Sequence, residues 1–315
     1  MALLDFLRPG RRPREGVVLA LGGGGARSLA HIGVLAALEE HGIPVAGIAG
    51  TSAGSVVGAM WLAHGSAAAV EARWREFLAS GVPDGLPDVR LGNEISSRDS
   101  LLLHFARVVR RGTAVVLALG RRGLVATEDL ERGVAFLLPD IAIEDLRRPF
   151  AVVVTDFHSA EPIALRHGSL RAAVTASCAI PGVLPPVIID GRALVDGGVV
   201  ADVPVRQARA LARRPVVAVD TGDAPAPAEA DGIRVPRALM RASQMTHLAL
   251  RRELLAQADL VLRPDVADVH WSEFTRIEEC IEAGREATCK APARLAALAL
   301  RRPGDVAPAQ APPPS

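Results

Sequence analysis

Short apolar runs alternate with helical patterns along most of the chain, and this alternation predicts an α/β fold. The runs predicted as strands are Val17–Leu21, Val45–Ala49, Ala151–Asp156, Ile163–Leu165, Val187–Ile189, Ala193–Val195, Val216–Asp220 and Leu260–Leu262. The main helical patterns are Ser28–His41, Ser55–Ala63, Ala67–Leu78, Ser100–Leu119, Thr127–Leu138, Ser169–Ser177, Val205–Ala212, Pro236–Ala258 and Ser272–Leu300. The order favours a single doubly wound sheet covered by helices.

A serine lies at one of the strand-to-helix junctions. Residues 50–54 read Gly-Thr-Ser-Ala-Gly, which matches the G-x-S-x-G nucleophile elbow, and they follow an apolar run and precede an apolar helix. A serine on so tight a turn crowds the positions two before and two after it, so Gly50 and Gly54 suit the turn. The next helix directs its N-terminus at the hydroxyl. Ser52 is therefore a candidate nucleophile.

A glycine-rich loop follows the first predicted strand. Gly22, Gly23, Gly24 and Gly25 precede Ala-Arg-Ser and open a helix, where free backbone N–H groups could meet an anion. A dinucleotide-binding turn would need a third glycine at Arg27 or Ser28 and an acidic residue about 20 positions later, and both are missing. A phosphate loop would need Gly-Lys-Ser/Thr. An oxyanion hole for the nearby serine fits better.

An aspartate closes a predicted hairpin far along the chain. The strands Val187–Ile189 and Ala193–Val195 flank an Asp-Gly turn, and the second one leads into Asp196-Gly197-Gly198. A carboxylate at a strand end, followed by glycines that allow another backbone to approach, is a candidate base for Ser52. A loop aspartate in an ordinary turn is the alternative for this motif taken alone.

These three motifs, in this order, resemble those of the patatin-like phospholipase family, specifically its bacterial members. The resemblance covers roughly residues 16–287 and implies a three-layer α/β/α sandwich with a mostly parallel central sheet. It implies a serine acyl hydrolase that cleaves lipid carboxyl esters, of phospholipase A or lysophospholipase type, through a Ser52–Asp196 dyad and an acyl-enzyme. It implies no cofactor and no metal.

The resemblance also assigns supporting residues. It implies that the oxyanion is held by Gly23, Gly24 and Gly25, with Arg27 shaping or charging the loop. The other motif glycines are Gly22, Gly50, Gly54, Gly197 and Gly198. The sequence departs from the family pattern at two positions. Ser28 replaces the last glycine of the oxyanion loop, where it could alter a backbone angle, and Asp202 stands where members often have asparagine.

Three other functions remain open at this point. An α/β-hydrolase triad would use His247 or His270 as the base, although neither histidine has a motif around it. An acyltransferase would pass the acyl group to an alcohol or thiol instead of water. A non-catalytic regulatory protein could retain the elbow for structure, but it would not need the serine, the aspartate and the glycine loop together.

Composition bears on which partners the chain could bind and in which compartment it could fold. The 315 residues carry a formal net charge of +1, which gives no electrostatic case for nucleic acid. Cys178, Cys280 and Cys289 form no C-x-x-C pair, which argues against disulfides or zinc and suits a cytoplasmic protein. The glycines and hydroxyl residues of the uncharged stretch Ile43–Val70 make it a poor membrane span.

The remaining predictions concern the ends of the chain and a membrane surface. Residues 1–15 are predicted to be an N-terminal extension without the features of a signal peptide, 16–300 the acyl hydrolase domain, and 301–315 a disordered Pro/Ala-rich tail. The arginine-bearing helix Ser100–Leu119 could contact the inner face of a membrane peripherally, or it could simply be a solvated surface helix.

Overall fold

An eight-stranded mixed sheet forms the centre of the computed structural model, which describes residues 16–82, 127–222 and 235–301. The strands are β1 (Val17–Leu21), β2 (Val45–Thr51), β3 (Phe150–Asp156), β4 (Pro162–Leu165), β5 (Val187–Ile189), β6 (Arg192–Asp196), β7 (Val216–Val219) and β8 (Leu260–Leu262). The described α-helices are α1 (Ala30–Glu40), α2 (Ala53–His64), α3 (Ala67–Ala79), α4 (Thr127–Leu137), α5 (Leu170–Ser177), α6 (Val205–Leu211), α7 (Val235–Leu255), α8 (Ile277–Cys289) and α9 (Pro292–Ala299).

The sheet order is β5-β6-β3-β2-β1-β7-β8, with β4 also paired to β3. Strands β3, β2, β1, β7 and β8 run parallel, whereas β4, β5 and β6 pair antiparallel. The four central parallel strands are buried along their whole length. Strands buried on both faces read as continuous apolar runs, which is how the sequence indicated them. The predicted α/β fold with a mostly parallel sheet is confirmed.

Successive side chains of a strand point to opposite faces, and β1 shows where each face packs. Val17, Leu19 and Leu21 belong to a large apolar cluster that includes residues of α1, α2 and α3. Val18 and Ala20 belong to a second, smaller cluster, which includes residues of α6. Helices therefore cover both faces of the sheet, and the architecture has three layers.

Two helical patterns differ from the structure in detail. The pattern predicted from Ser28 begins as a 3-10 turn at Gly25–Leu29 before α1 starts. The pattern Ser272–Leu300 was wrong as one long helix, because it is a 3-10 turn followed by α8 and α9. Pro292 is the first residue of α9. Proline has no N–H for the preceding helix but fits the first position of a new one.

Helices α1 and α8 cross with their backbones in contact. A Cβ placed on Gly33 would lie 1.8 Å from the Ile281 carbonyl oxygen, and one on Gly284 would lie 1.9 Å from the Ala30 carbonyl oxygen. Real Cβ atoms never approach so closely, so any side chain at either glycine would force the helices apart. This crossing fixes α1, which follows the glycine-rich loop.

Three predictions fall wholly or mainly outside the described residues: the extension 1–15, the helix Ser100–Leu119 and the tail 301–315, of which only Arg301 is described. Among the described helices, none alone has the length and apolar character to cross a membrane. Helices α2 and α3 meet those criteria only as a pair bent by 118°. Most residues of α2 are buried in the core.

Candidate active site

Ser52 occupies the turn between β2 and α2 in a strained backbone conformation. Its φ is 51° and its ψ is −130°, a region that residues with a side chain rarely adopt. Hydrogen bonds on both sides hold the turn: the Ser52 N–H donates to the Ser177 hydroxyl at 2.9 Å, and the Ser55 hydroxyl donates to the Ser52 carbonyl at 2.6 Å. The geometry is that of a nucleophile elbow.

The two elbow glycines are required by close approach of other backbone. A Cβ on Gly50 would lie 2.6 Å from Cα of Ser55, on the far side of the turn. A Cβ on Gly54 would lie 2.4 Å from the carbonyl oxygen of Leu21, at the end of the neighbouring strand β1. A Cβ would clash at both positions, although at Gly54 the nearest atoms belong to Leu21 and Gly22 and not to the turn.

The register of β3 brings Asp196 to Ser52. Val153 pairs with Thr51 of β2, and the next residue, Val154, pairs with Asp196 of β6. The ends of β2 and β6 therefore meet beside consecutive residues of one strand. The Ser52 hydroxyl donates to Oδ2 of Asp196 at 2.7 Å, across 144 positions of sequence.

The Asp196 carboxylate is buried, with 5 % of the residue exposed. Its second oxygen accepts the Gly198 N–H at 2.7 Å, and its backbone carbonyl accepts the Thr155 hydroxyl at 3.0 Å. Burial raises the pKa of Asp196 to about 7, against the opposing effect of the hydrogen bonds from Gly198 and Ser52. A carboxylate that titrates near neutrality can accept a proton far better than an exposed one.

The glycine-rich loop lies beside the serine. A Cβ on Gly23 would be 3.4 Å from Cβ of Ser52. The Gly23 N–H already donates to the Asp202 carbonyl at 3.0 Å, so its predicted role as an oxyanion donor is not met in this conformation. Gly24 and Gly25 have positive φ values of 154° and 59°. Among the described residues, neither of these two amides has a hydrogen-bond acceptor.

Arg27 and Ser28 brace this loop from the inside. Arg27 is buried and donates from Nε to the Gly24 carbonyl at 3.4 Å, and burial lowers its pKa to about 10. The Ser28 hydroxyl donates to the Gly22 carbonyl at 3.4 Å. Ser28 lies in the 3-10 turn and is not among the described residues with positive φ. Ser28 therefore occupies this position without a positive φ.

Two residues outside the three sequence motifs hydrogen-bond to backbone of the site. Ser177, at the end of α5, receives the Ser52 N–H and donates to the Val153 carbonyl at 2.7 Å. His31 is fully buried, and its Nε2 lies 2.8 Å from the Gly22 carbonyl, to which it must donate. Burial lowers the pKa of His31 to about 4, so the ring is neutral at neutral pH.

The histidines considered for a triad contact residues other than Ser52. Nε2 of His247 is 3.4 Å from Oδ2 of Asp202, and Nδ1 of His270 is 2.7 Å from the Ser272 hydroxyl. None of the histidines that the structure describes hydrogen-bonds to Ser52. Within residues 16–82, 127–222 and 235–301, no group of three His, Cys, Asp or Glu residues could hold a metal ion.

Fold and site together define an α/β protein with a serine elbow and a buried carboxylate partner. Residues 19–209 match the family model described as patatin-like phospholipase, so the chain belongs to that family of lipid ester hydrolases. This is the family that the three sequence motifs indicated.

Individual relatives extend the comparison. An uncharacterised NTE family protein of Mycobacterium tuberculosis is 33 % identical over 192 residues, which cover 60 % of this chain and 44 % of the relative. Human patatin-like phospholipase domain-containing protein 6 is 34 % identical over 208 residues, 65 % of this chain and 13 % of that protein. The chain thus spans less than half the length of these relatives.

A solved structure supports the fold assignment. VipD from Legionella pneumophila superposes with a TM-score of 0.50 at 16 % identity, covering 91 % of this chain and 67 % of the VipD chain. At this identity the likeness is one of fold.

Proposed function

We propose that the chain hydrolyses carboxyl ester bonds of lipids through an acyl-enzyme, with Ser52 as nucleophile and Asp196 as base. The observation that carries the proposal is the 2.7 Å hydrogen bond from the Ser52 hydroxyl to a buried Asp196 carboxylate. A donor and an acceptor at this distance are within reach for direct proton transfer. The family supports a lipid ester as the substrate class.

The steps balance with these two side chains and water. As Oγ of Ser52 bonds to the ester carbonyl carbon, Asp196 takes the hydroxyl proton, and it then gives that proton to the departing alcohol oxygen. Water next attacks the acyl-enzyme carbonyl while Asp196 accepts one of its protons. Collapse of this second intermediate breaks the bond to Oγ, returns the proton to Ser52 and releases the acid.

Backbone groups are proposed to stabilise the oxyanion. The amides of Gly24 and Gly25 are the loop donors without an acceptor among the described residues, in contrast to Gly23. Helix α2 begins at Ala53, directly after the nucleophile, so the partial positive charge of its N-terminus lies at the reacting group. Arg27 would act by holding the Gly24 carbonyl and thereby orienting the loop.

The proposal is tested by covalent labelling and turnover together. A fluorophosphonate probe should modify Ser52, and p-nitrophenyl esters and phospholipids should be hydrolysed by the wild type but not by Ser52→Ala. Activity should survive a chelator, since no step uses a metal. Labelling at another serine, or hydrolysis that persists in Ser52→Ala, would remove the proposed function.

Peripheral membrane contact belongs to the same proposal. It rests on the arginine-bearing pattern Ser100–Leu119, a stretch outside the described residues, and on the lipid substrate class. Anionic liposomes should sediment the full chain at low salt and release it at high salt. No co-sedimentation at any salt concentration would separate the hydrolase from a membrane-surface role.

A further inference from the structure

A charged cluster lies beside the proposed site and takes no part in the steps above. Asp202 belongs to the segment between β6 and α6, and its side chain is largely buried. Its Oδ2 is 3.4 Å from Nε2 of His247 and 3.6 Å from Nε of Arg251. Both of these partners come from α7.

The Asp202 carboxylate touches both loops that flank Ser52. A Cβ on Gly23 would lie 3.2 Å from Oδ1 of Asp202 and 3.4 Å from Cβ of Ser52. A Cβ on Gly198 would lie 3.0 Å from Oδ1 of Asp196 and 3.8 Å from Oδ1 of Asp202. One glycine therefore separates Asp202 from the nucleophile, and another separates it from the base.

We propose that Asp202 and His247 are positioning residues that tune the basicity of Asp196 in opposite directions. The inference rests on the proposed Ser52–Asp196 dyad and deepens it. Asp202 places a negative charge beside the base and favours its protonated form. His247 places a positive charge next to the Asp202 carboxylate and so offsets part of the effect of Asp202 on Asp196.

Other charged side chains also lie near this cluster in the described part of the chain. Arg251 also pairs with the buried Asp220, and Arg263 lies 3.5 Å from Asp220. Asp220 therefore offsets part of the charge of both arginines. Arg27, in the 3-10 turn after the glycine-rich loop, adds a buried cation near Asp202.

The pKa shifts of Asp202 and His247 agree with this arrangement. Burial opposes the charge of Asp202, but the hydrogen bond with His247 and the nearby cations outweigh it and hold the pKa of Asp202 below its usual value. The hydrogen bond to Asp202 raises the pKa of His247 against the effect of burial. After burial itself, the charge of Asp202 is a cause that raises the pKa of Asp196, whereas the charge of His247 lowers it.

The test compares the pH dependence of kcat/KM in Asp202→Asn and His247→Gln with that of the wild type. Activity should rise with pH as Asp196 ionises. In Asp202→Asn the midpoint of this rise should move to lower pH, and in His247→Gln it should move to higher pH. The shift in His247→Gln should be about half a pH unit or more, the size expected for one charge several ångströms away in partly solvated protein. The shift in Asp202→Asn should be smaller, because this variant also loses the hydrogen bond that raises the pKa of His247.

Two control variants make the same substitutions, Asp to Asn and His to Gln, at positions far from the proposed site. Asp259→Asn removes a carboxylate that contacts Val216 and Arg209 at the opposite edge of the sheet, and His167→Gln removes a histidine whose side chain is 81 % exposed. Neither control should move the midpoint. If Asp202→Asn folds poorly, His247→Gln still decides, because its side chain is 28 % exposed and tolerates the change.

Labelling rates give a second measurement that does not need turnover. The pH dependence of fluorophosphonate labelling of Ser52 should shift as kcat/KM does. Midpoints that stay fixed, or that move in the same direction in both variants, would overturn the inference. If Ser52→Ala or Asp196→Asn remained active, the failure would lie in the proposed function instead, so the two outcomes are distinguishable.

Discussion

The hydroxyl of Ser177 accepts the backbone N–H of Ser52 at 2.9 Å. The same hydroxyl donates to the Val153 carbonyl at 2.7 Å, on the strand that also aligns Asp196. Ser177 thus links the strained elbow to β3, the strand that pairs with β2 before Ser52 and with β6 at Asp196. One side chain at the end of α5 therefore links the backbone of Ser52 to the central sheet.

Replacing Ser177 with alanine removes this tie. We expect Ser177→Ala to lower kcat about tenfold, the effect of one lost hydrogen bond on an alignment needed for reaction, with KM nearly unchanged. Steady-state kinetics on a soluble ester measures both constants. Ser66→Ala is the matched control, because it removes the N-cap of α3 and should lower the melting temperature without changing kcat. A wild-type kcat in Ser177→Ala would contradict the alignment role.

Asp196→Asn should be inactive but more stable than the wild type in alkaline solution. The pKa of Asp196 is about 7 in the folded chain against an ordinary 3.8, so the folded state binds more protons between these values. The stability contribution is fully present below pH 3.8 and lost as the pH rises through 7. Asparagine keeps the shape without the charge, so at pH 8 the variant should gain about 4 kcal/mol.

Denaturant unfolding at pH 8 and pH 4 measures this gain for Asp196→Asn. The two proteins should have nearly equal free energies of unfolding at pH 4. An equal difference at both pH values would mean that packing, rather than ionisation, separates them. The expected trade of stability for reactivity is common at sites built from buried charges.

His31→Gln should make the protein less sensitive to acid. The pKa of His31 falls to about 4 in the folded chain from an ordinary 6.5, so stability is fully present above pH 6.5 and is lost as the pH falls through 4. Glutamine can still donate to the Gly22 carbonyl but does not titrate. At pH 4.5 the variant should gain about 2–3 kcal/mol relative to its difference at pH 7.

Unfolding free energies between pH 4.5 and pH 7 test the role of His31. The exposed His41 supplies the control, since His41→Gln removes an imidazole from the surface and leaves the buried one in place. A parallel pH dependence in wild type and His31→Gln would show that other groups govern acid unfolding.

Gly54→Ala should prevent folding, whereas Gly133→Ala should not. The new methyl group at Gly54 would lie 2.4 Å from the Leu21 carbonyl oxygen. Moving the backbone of the central sheet away from it would cost a large part of the free energy of folding. At Gly133, in α4, the nearest atom is a ring carbon of Phe77 at 3.6 Å, an ordinary contact. Alanine there should stabilise by about 0.5–1 kcal/mol through helix propensity. Soluble yield and melting temperature measure both variants.

The central strands could be predicted from the sequence because burial on both faces leaves an apolar run at each of them. β1 and β8 begin and end at the predicted residues. The elbow glycines were also predictable, since the steric demand of the turn is local. Pro292 was visible in the sequence as a break between α8 and α9, but apolar periodicity on either side of it suggested one long helix.

Contacts made across the chain could not be predicted in this way. The Gly23 N–H donates to the Asp202 carbonyl, and nothing in the sequence around either residue indicates this contact. Ser177 and His31 act on backbone groups of Ser52 and Gly22, so no motif of side chains marks them. Such partners are set by strand register and helix packing, which depend on the whole fold.

The contact of α1 with α8 has a consequence for where this protein can be divided. The family model ends at residue 209, yet α8 lies well beyond it, and no side chain separates its backbone from α1 at Gly33 and Gly284. A chain cut at residue 209 would lose α8 and leave that face of α1 open to water. The folding unit therefore extends past the end of the family model, and a shortened chain has to keep α8 to keep α1 covered.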